Sequence, residues 1–262
     1  MPVPTLLTEW GNDSAATTGT TEVLTVPSNL PIGTLVVVSM TCIAALNPTF
    51  TIADSVSPDN TWVKSNAQVA AATTNTVMFS SILTTALPAS STVTITSTQT
   101  MTRRASAAAA FSDGFTAPTT HGAFNETSTT TVTGGTHTPA ATALVFAALG
   151  YVSPARIFTP GAGYTAYTKH ASTAGSGNRG VQIIARAGVA ATPYATIGTL
   201  DFSGVCLTGL GSIAVGAPVD PWIPGVLKYW DGSAWITPDP TTIKYWDGSA
   251  WQQVPEIKVY SP

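Results

Sequence analysis

The feature that most restricts how this chain can fold is its punctuation. Short runs of Val, Ile, Thr, Phe and Tyr recur through the first 215 residues, each closed by Gly, Pro, Asn or Asp. β-Branched and aromatic side chains fit a pleated, half-buried surface, and the punctuating residues supply the turns between such segments. Glu, Lys and Gln are rare, and no long window keeps apolar residues at i, i+3 and i+4, so helices are not expected. The strand candidates are 21–26, 34–44, 49–53, 61–63, 76–83, 91–97 and 106–111, then 128–132, 143–151, 164–170, 180–187, 194–202 and 205–215. So many short strands separated by turns predict an all-β protein, an antiparallel β-sandwich of jelly-roll type.

The patterns within the strands say which faces are covered. In Ser91 to Thr96, Val93 and Ile95 fall on one face and threonines on the other, the alternation of a half-wet antiparallel strand. Leu35-Val36-Val37-Val38 and Leu144-Val145-Phe146-Ala147 are apolar throughout, which predicts strands covered on both sides. The alanine-rich Ser106 to Phe111 has a helical alternative, but Phe111-Ser112-Asp113-Gly114 closes it quickly. A strand with small residues facing a crowded core is expected there.

Charge limits the partners. Only 9% of the 262 residues are charged, against roughly 25% in an ordinary soluble domain. Thr, Ser, Asn and Gln must therefore make most of the wet surface, which suits dense packing against copies of the same chain. The net charge is −3 and the sole adjacent basic pair is Arg103-Arg104. Nucleic acid, which needs clustered Lys and Arg, is not an expected partner, and the arginine pair reads as a solvated strand end. No stretch approaches the ~20 apolar residues of a membrane helix, and the opening MPVPTLLTEWGND has no basic start and no long apolar core. Synthesis in the cytoplasm without a secretory signal is expected, with no membrane contact. Cys42 and Cys206 lie in apolar runs without metal-type spacing, and free buried thiols are expected.

Composition shifts near Gly216. Residues 1–216 read as the β-sandwich domain, 217–225 as a linker stiffened by Pro218, Pro221 and Pro224, and 226–262 as tandem hairpins. The octapeptide Lys228-Tyr229-Trp230-Asp231-Gly232-Ser233-Ala234-Trp235 recurs sixteen residues on as Lys244-Tyr245-Trp246-Asp247-Gly248-Ser249-Ala250-Trp251, and Ile257 to Tyr260 begins a third copy. Asp-Gly between apolar flanks is a strong two-residue hairpin signal. Turns at Asp231-Gly232 and Asp247-Gly248 would set Trp230 opposite Ser233 and make Trp230 and Trp235 diagonal neighbours. Five of the seven tryptophans fall between Trp222 and Trp251. Tyr229, Trp230, Trp235, Tyr245, Trp246 and Trp251 are therefore the candidate contact residues, for assembly first and for stacking on a glycan second.

The common sequence signatures of catalysis and metal binding are missing. His121, His137 and His170 are not spaced as a metal pair, and HExxH, CxxC, GxSxG and P-loop patterns do not occur. Gly175-Ser176-Gly177-Asn178 reads as a hairpin loop. Asp54, Asp59 and Glu126 are the least implausible carboxylates for hydrolysis, and Asp54, Asp59 and Asn60 for a cation. Turn capping is the expected role of Asp54. No enzyme activity, cofactor or metal is expected.

The C-terminal octapeptides resemble the WDGSAW modules of virion proteins from phages that infect actinobacteria. The first ~215 residues resemble a β-sandwich domain of phage tail-associated proteins, through Gly33-Thr34-Leu35-Val36-Val37, Asp54-Ser55, Asn60-Thr61-Trp62, Ser91 to Ile95, Arg103 to Gly114 and Gly163-Tyr164-Thr165. The resemblance implies a structural protein on the virion surface, of the minor tail type, with no catalytic residue. It implies a homo-oligomer, a trimer favoured, touching other virion proteins of tail or capsid and in one version a host-surface glycan. A capsid decoration protein and a carbohydrate-binding module for host attachment are the alternatives. Collagen-like and heptad repeats are absent, which argues against a long fibre shaft.

Overall fold

The computed structural model describes residues 4–13, 18–45, 48–64, 69–71, 73–112, 115, 120–139, 142–153, 157–172, 178–188, 192–201 and 205–214. It also describes the backbone at 229–230, 235–236, 244–246 and 251–253. For 69–71, 120–127, 135 and 188 only the backbone is described as well. The chain divides into two compact units, Met1–Ala217 and Pro218–Pro262. The Pro-rich linker expected at 217–225 lies outside the described residues.

The first unit is all antiparallel β, as its punctuation predicts. Its first half contains β1 (Leu6–Asn12), β2 (Gly19–Thr25), β3 (Leu35–Ile43), β4 (Phe50–Asp54), β5 (Val63–Lys64), β6 (Val69–Ala71), β7 (Thr74–Ile82) and β8 (Thr92–Phe111). The second half contains β9 (Thr120–Thr127), β10 (Thr131–His137), β11 (Ala143–Tyr151), β12 (Phe158–Pro160), β13 (Thr165–Ala166), β14 (His170–Ala171), β15 (Gly180–Gly188), β16 (Tyr194–Leu200) and β17 (Cys206–Ala214).

The two halves repeat one topology. In the first, an inner sheet runs β1-β8-β3-β7-β5, with β6 also on β7, while β2 and β4 flank the first part of β8 as an outer sheet. In the second, the inner sheet runs β9-β17-β11-β15-β13, with β14 also on β15, and the outer sheet runs β10-β16-β12. The long strand β8 therefore does the work of both β16 and β17. First strand beside last, and second beside next-to-last, is the jelly-roll order. The single sandwich read over 1–216 is thus a pair of sandwiches within one compact unit.

Strand β8 can serve two sheets because it is kinked in the middle. Thr41 is opposite Ala105 but Ile43 is opposite Thr102, so β8 carries one extra residue there. Arg103 sits in this bulge at φ 48°. A bulge with one residue in the left-handed region bends a strand and increases its twist, and this one hands β8 from outer to inner sheet.

Side-chain alternation then stacks four sheets. Val36, Val38 and Met40 of β3 pack with Leu24, Phe50, Val93 and Ile95 of the first outer sheet. The opposite face of the same strand, Leu35 and Val37, meets Leu144, Phe146, Val181 and Ile183 of the second inner sheet. That sheet's other face, with Val145, Leu149 and Ile184, packs on Val132, Tyr194, Ile197 and Leu200 of the second outer sheet. Both inner sheets are therefore covered on two sides. This is why β3 and β11, apolar throughout in sequence, are buried along nearly their whole length, each such side chain contributing roughly 1.5–3 kcal/mol. Ala105 to Ala110 is strand, with its small side chains packed into both neighbouring cores, Ser106 excepted. Cys42 and Cys206 are free and buried. They belong to the first and third cores, and burial pushes both thiols up to about 12.

Candidate functional site

The octapeptide repeats form two separate two-stranded ribbons. β18 (Tyr229–Trp230) pairs with β19 (Trp235–Ile236), and β20 (Lys244–Trp246) pairs with β21 (Trp251–Gln253). The register differs from the one expected. Trp230 is directly opposite Trp235, and Tyr229 is opposite Ile236. In the second ribbon Trp246 is directly opposite Trp251, Tyr245 opposite Gln252 and Lys244 opposite Gln253. Four residues, 231–234 and 247–250, separate the paired strands of each ribbon. Cross-strand preference accounts for the shift. The two-residue turn would pair tryptophan with serine and tyrosine with alanine, whereas the observed register pairs tryptophan with tryptophan in both ribbons. Asp231, Gly232, Asp247 and Gly248 themselves lie outside the described residues. The six candidate contact residues all sit on these ribbon strands, three on each.

The polar groups of the double sandwich are engaged structurally. Asp54 ends β4 and organises the turn after it. Its Oδ1 accepts from the Val56 N–H at 3.3 Å, and its Oδ2 accepts from Asn60 N–H at 3.3 Å, Asn60 Nδ2 at 3.1 Å and Trp62 Nε1 at 3.0 Å. Asn60 Oδ1 in turn accepts from the Thr84 and Thr85 N–H groups at 2.8 Å. Four N–H donors converge on this carboxylate from the turn that follows it, so capping is the role of Asp54 here. Asp59 is exposed, and the side chain of Glu126 lies outside those described. Among the described residues no group of three His, Cys, Asp or Glu is placed to hold a metal ion.

Two of the three histidines are tied into the double sandwich. His170 Nδ1 is 3.1 Å from Asp13 Oδ1, which also accepts from the Ala171 N–H, tying β14 to the end of β1. His137 is buried with Nε2 2.6 Å from Ser212 Oγ, between the second outer and inner sheets. Burial holds its pKa below the ordinary 6.5. A histidine buried neutral binds its proton less readily folded than unfolded. Its contribution to stability is thus present above pH 6.5 and is lost as pH falls through the lowered folded value. Thermal unfolding between pH 8 and 5 should show a drop over this window, and His137→Gln should shrink it. An identical pH profile in the variant would exclude His137 as the source. The side chain of His121 lies outside those described.

Arg186 is held between two rings, 5.1 Å from the Tyr164 centroid and 4.9 Å from that of Tyr194, while donating to the Ala162 carbonyl at 2.8 Å. Its charge is spent on pinning a turn. Of the pair expected to be solvated, Arg103 is half-buried and Arg104 is structural: it is buried against Glu22 at 3.0 Å and donates to the Thr21 carbonyl at 2.7 Å. It lies mid-strand beside the bulge, where alternation turns its side chain into the first core. Among the described residues no helix is long and apolar enough to cross a membrane.

No family model, curated protein or solved structure matches this chain.

Proposed function

We propose that the chain is a non-enzymatic structural protein on the surface of a tailed bacteriophage particle, tail-associated, which assembles through its C-terminal ribbons. The observation that carries this reading is the doubled register of Trp230 opposite Trp235 and Trp246 opposite Trp251. A two-stranded ribbon is marginal in water by itself. Aromatic surface of this density is normally covered by a partner, and an identical octapeptide repeated in tandem offers the same contact twice. The double sandwich supports the reading by its chemistry: charged groups are few, and Asp54, Arg104 and Arg186 are engaged in holding turns and cores. In the proposed role the partners are further copies of the chain and neighbouring virion proteins, with no cofactor, nucleic acid or membrane.

Immunogold labelling of intact virions with antibody to this chain tests the reading. Label on tails is the expected result. Label confined to heads would replace it with capsid decoration, and label on neither would overturn it. Sedimentation of the full chain carrying Trp230→Ala and Trp246→Ala should give a smaller assembly than the unaltered chain. An unchanged assembly that binds a glycan array only when those tryptophans are present would transfer the ribbons to carbohydrate recognition.

A further inference from the structure

We propose that the two outermost faces of the double sandwich are complementary docking surfaces, by which one copy of the chain stacks upon a second. The outward residues of both outer sheets are mostly threonines, and several lie in cross-strand register. On the first, Thr96 of the central strand β8 lies opposite Thr21 of β2 on one side and Thr51 of β4 on the other. A single row of three exposed threonines thus crosses the whole sheet. The next row is Val23, Thr94 and Ala53, and Thr25 opposite Thr92 begins a third. On the second outer sheet, Thr199 of the central strand β16 lies opposite Thr131 of β10 and Thr159 of β12, again three exposed threonines in one row. Thr196 opposite Thr133 makes a further pair.

Three observations commit the faces to a second copy. The first is charge. On β2, β4, β10, β12, β16 and residues 92–101 of β8, no described charged side chain is exposed, since Glu22 and Asp54 are buried. A polyanion finds no cation there, whereas two such faces meet without burying a charge. The second is position. The faces lie at opposite ends of a four-sheet stack, and strands at the common spacing of ~4.8 Å give both the same spacing of threonines within a row. First-on-second contact is heterologous, so it repeats from copy to copy without closing. The third is precedent within the chain. Between the two inner sheets, Thr41 Oγ1 and Thr76 Oγ1 are 3.0 Å apart and buried over Gly150. A threonine pair on one sheet is already mated there to the face of another. Three short strands cover only a few hundred Å² per partner, less than the ~800 Å² of a stable pair. The contact is therefore weak singly and effective among copies held close together. It is independent of the ribbons.

Sedimentation of the full chain over a concentration series reaching about 1 mM tests the proposal. The mass of the unaltered chain should climb beyond its smallest species. Thr96→Glu and Thr199→Glu, each damaging one face, should separately abolish that growth, at least tenfold in association constant. Mixed in equal amounts, the two variants should recover pairs of the smallest species and nothing longer, because each keeps the face the other lacks. Thr21→Glu and Thr131→Glu on the same rows serve if far-ultraviolet circular dichroism shows that either variant misfolds. Growth that survives in both single variants would put self-association elsewhere, on the ribbons included. Growth lost in only one variant would mean a face pairing with itself, and an unaltered chain that never grows would leave the threonines as a solvent coat. Each of these results overturns the proposal.

Discussion

Replacing Arg104 with methionine is expected to lower the unfolding free energy of the double sandwich by about 3–5 kcal/mol, the usual cost of stranding one member of a buried ion pair. Glu22 is 2% exposed and Arg104 9%. The Glu22 carboxylate also accepts from Ser106 Oγ at 3.0 Å. Burial pushes the Glu22 pKa up from the ordinary 4.5, while the Ser106 hydrogen bond and the Arg104 charge pull it down. Without Arg104 the upward pull is less opposed. A carboxyl whose folded pKa is raised contributes stability that is fully present below its unfolded value and is lost as pH rises through the folded one. The deficit of Arg104→Met should therefore be smaller at pH 5 than at pH 8, and adding Glu22→Gln should recover part of it at pH 8. Urea unfolding of the single and double variants at both pH values measures this. A cost below 1 kcal/mol, or one indifferent to pH, would show that water reaches the pair.

The second large effect is expected at the joint between the sandwiches. A Cβ on Gly150 of β11 would collide with the hydroxyl oxygens of Thr76 and Thr41 across the interface. Those oxygens are hydrogen-bonded and held on two neighbouring strands of the opposing sheet, so neither can simply rotate away. Gly150→Ala should cost about 1–3 kcal/mol and Gly150→Val more, by forcing the inner sheets apart. In a Thr41→Ala, Thr76→Ala background the cost of Gly150→Ala should fall by more than half, the coupling expected of residues in direct contact. Full additivity in that cycle would mean the two halves do not meet as described.

Much of the fold was legible because strand burial writes itself into sequence with period two. Val93 and Ile95 between threonines announce one wet face, and Leu35 to Val38 and Leu144 to Ala147 announce two covered ones. The candidate 143–151 coincides with β11. Four strands were missed, β1, β6, β9 and β12. In β1, Leu6, Leu7 and Trp10 interrupt polar residues without strict alternation; Leu6 and Leu7 are exposed, and only Trp10 reaches the core. Residues 91–97 and 106–111 were separated because Arg103-Arg104 looked like an end. A bulge is a matter of pairing with β3, and nothing local to the two arginines reveals it.

The ribbons make the same point at the smallest scale. That tandem hairpins would form at the octapeptides followed from Asp-Gly between aromatic residues. Where the strands would meet did not, because two registers compete. One is favoured by a local turn, the other by pairing Trp230 with Trp235, and only a cross-strand term decides between them.

Taken alone, the order of residues determined an all-β antiparallel chain, two free buried thiols, a poorly charged exterior and a compositional break near 216. These depend on propensity, alternation and transfer from water, all of which act residue by residue. The tertiary structure alone decided that the sandwich is two sandwiches back to back, that Arg104 is an interior cation, that Gly150 must be bare, and that the exposed threonines align in rows at both ends of the stack. Each of these depends on which distant strand lies alongside, a relation between residues far apart in the chain, as Thr41 is from Gly150, that no local pattern encodes.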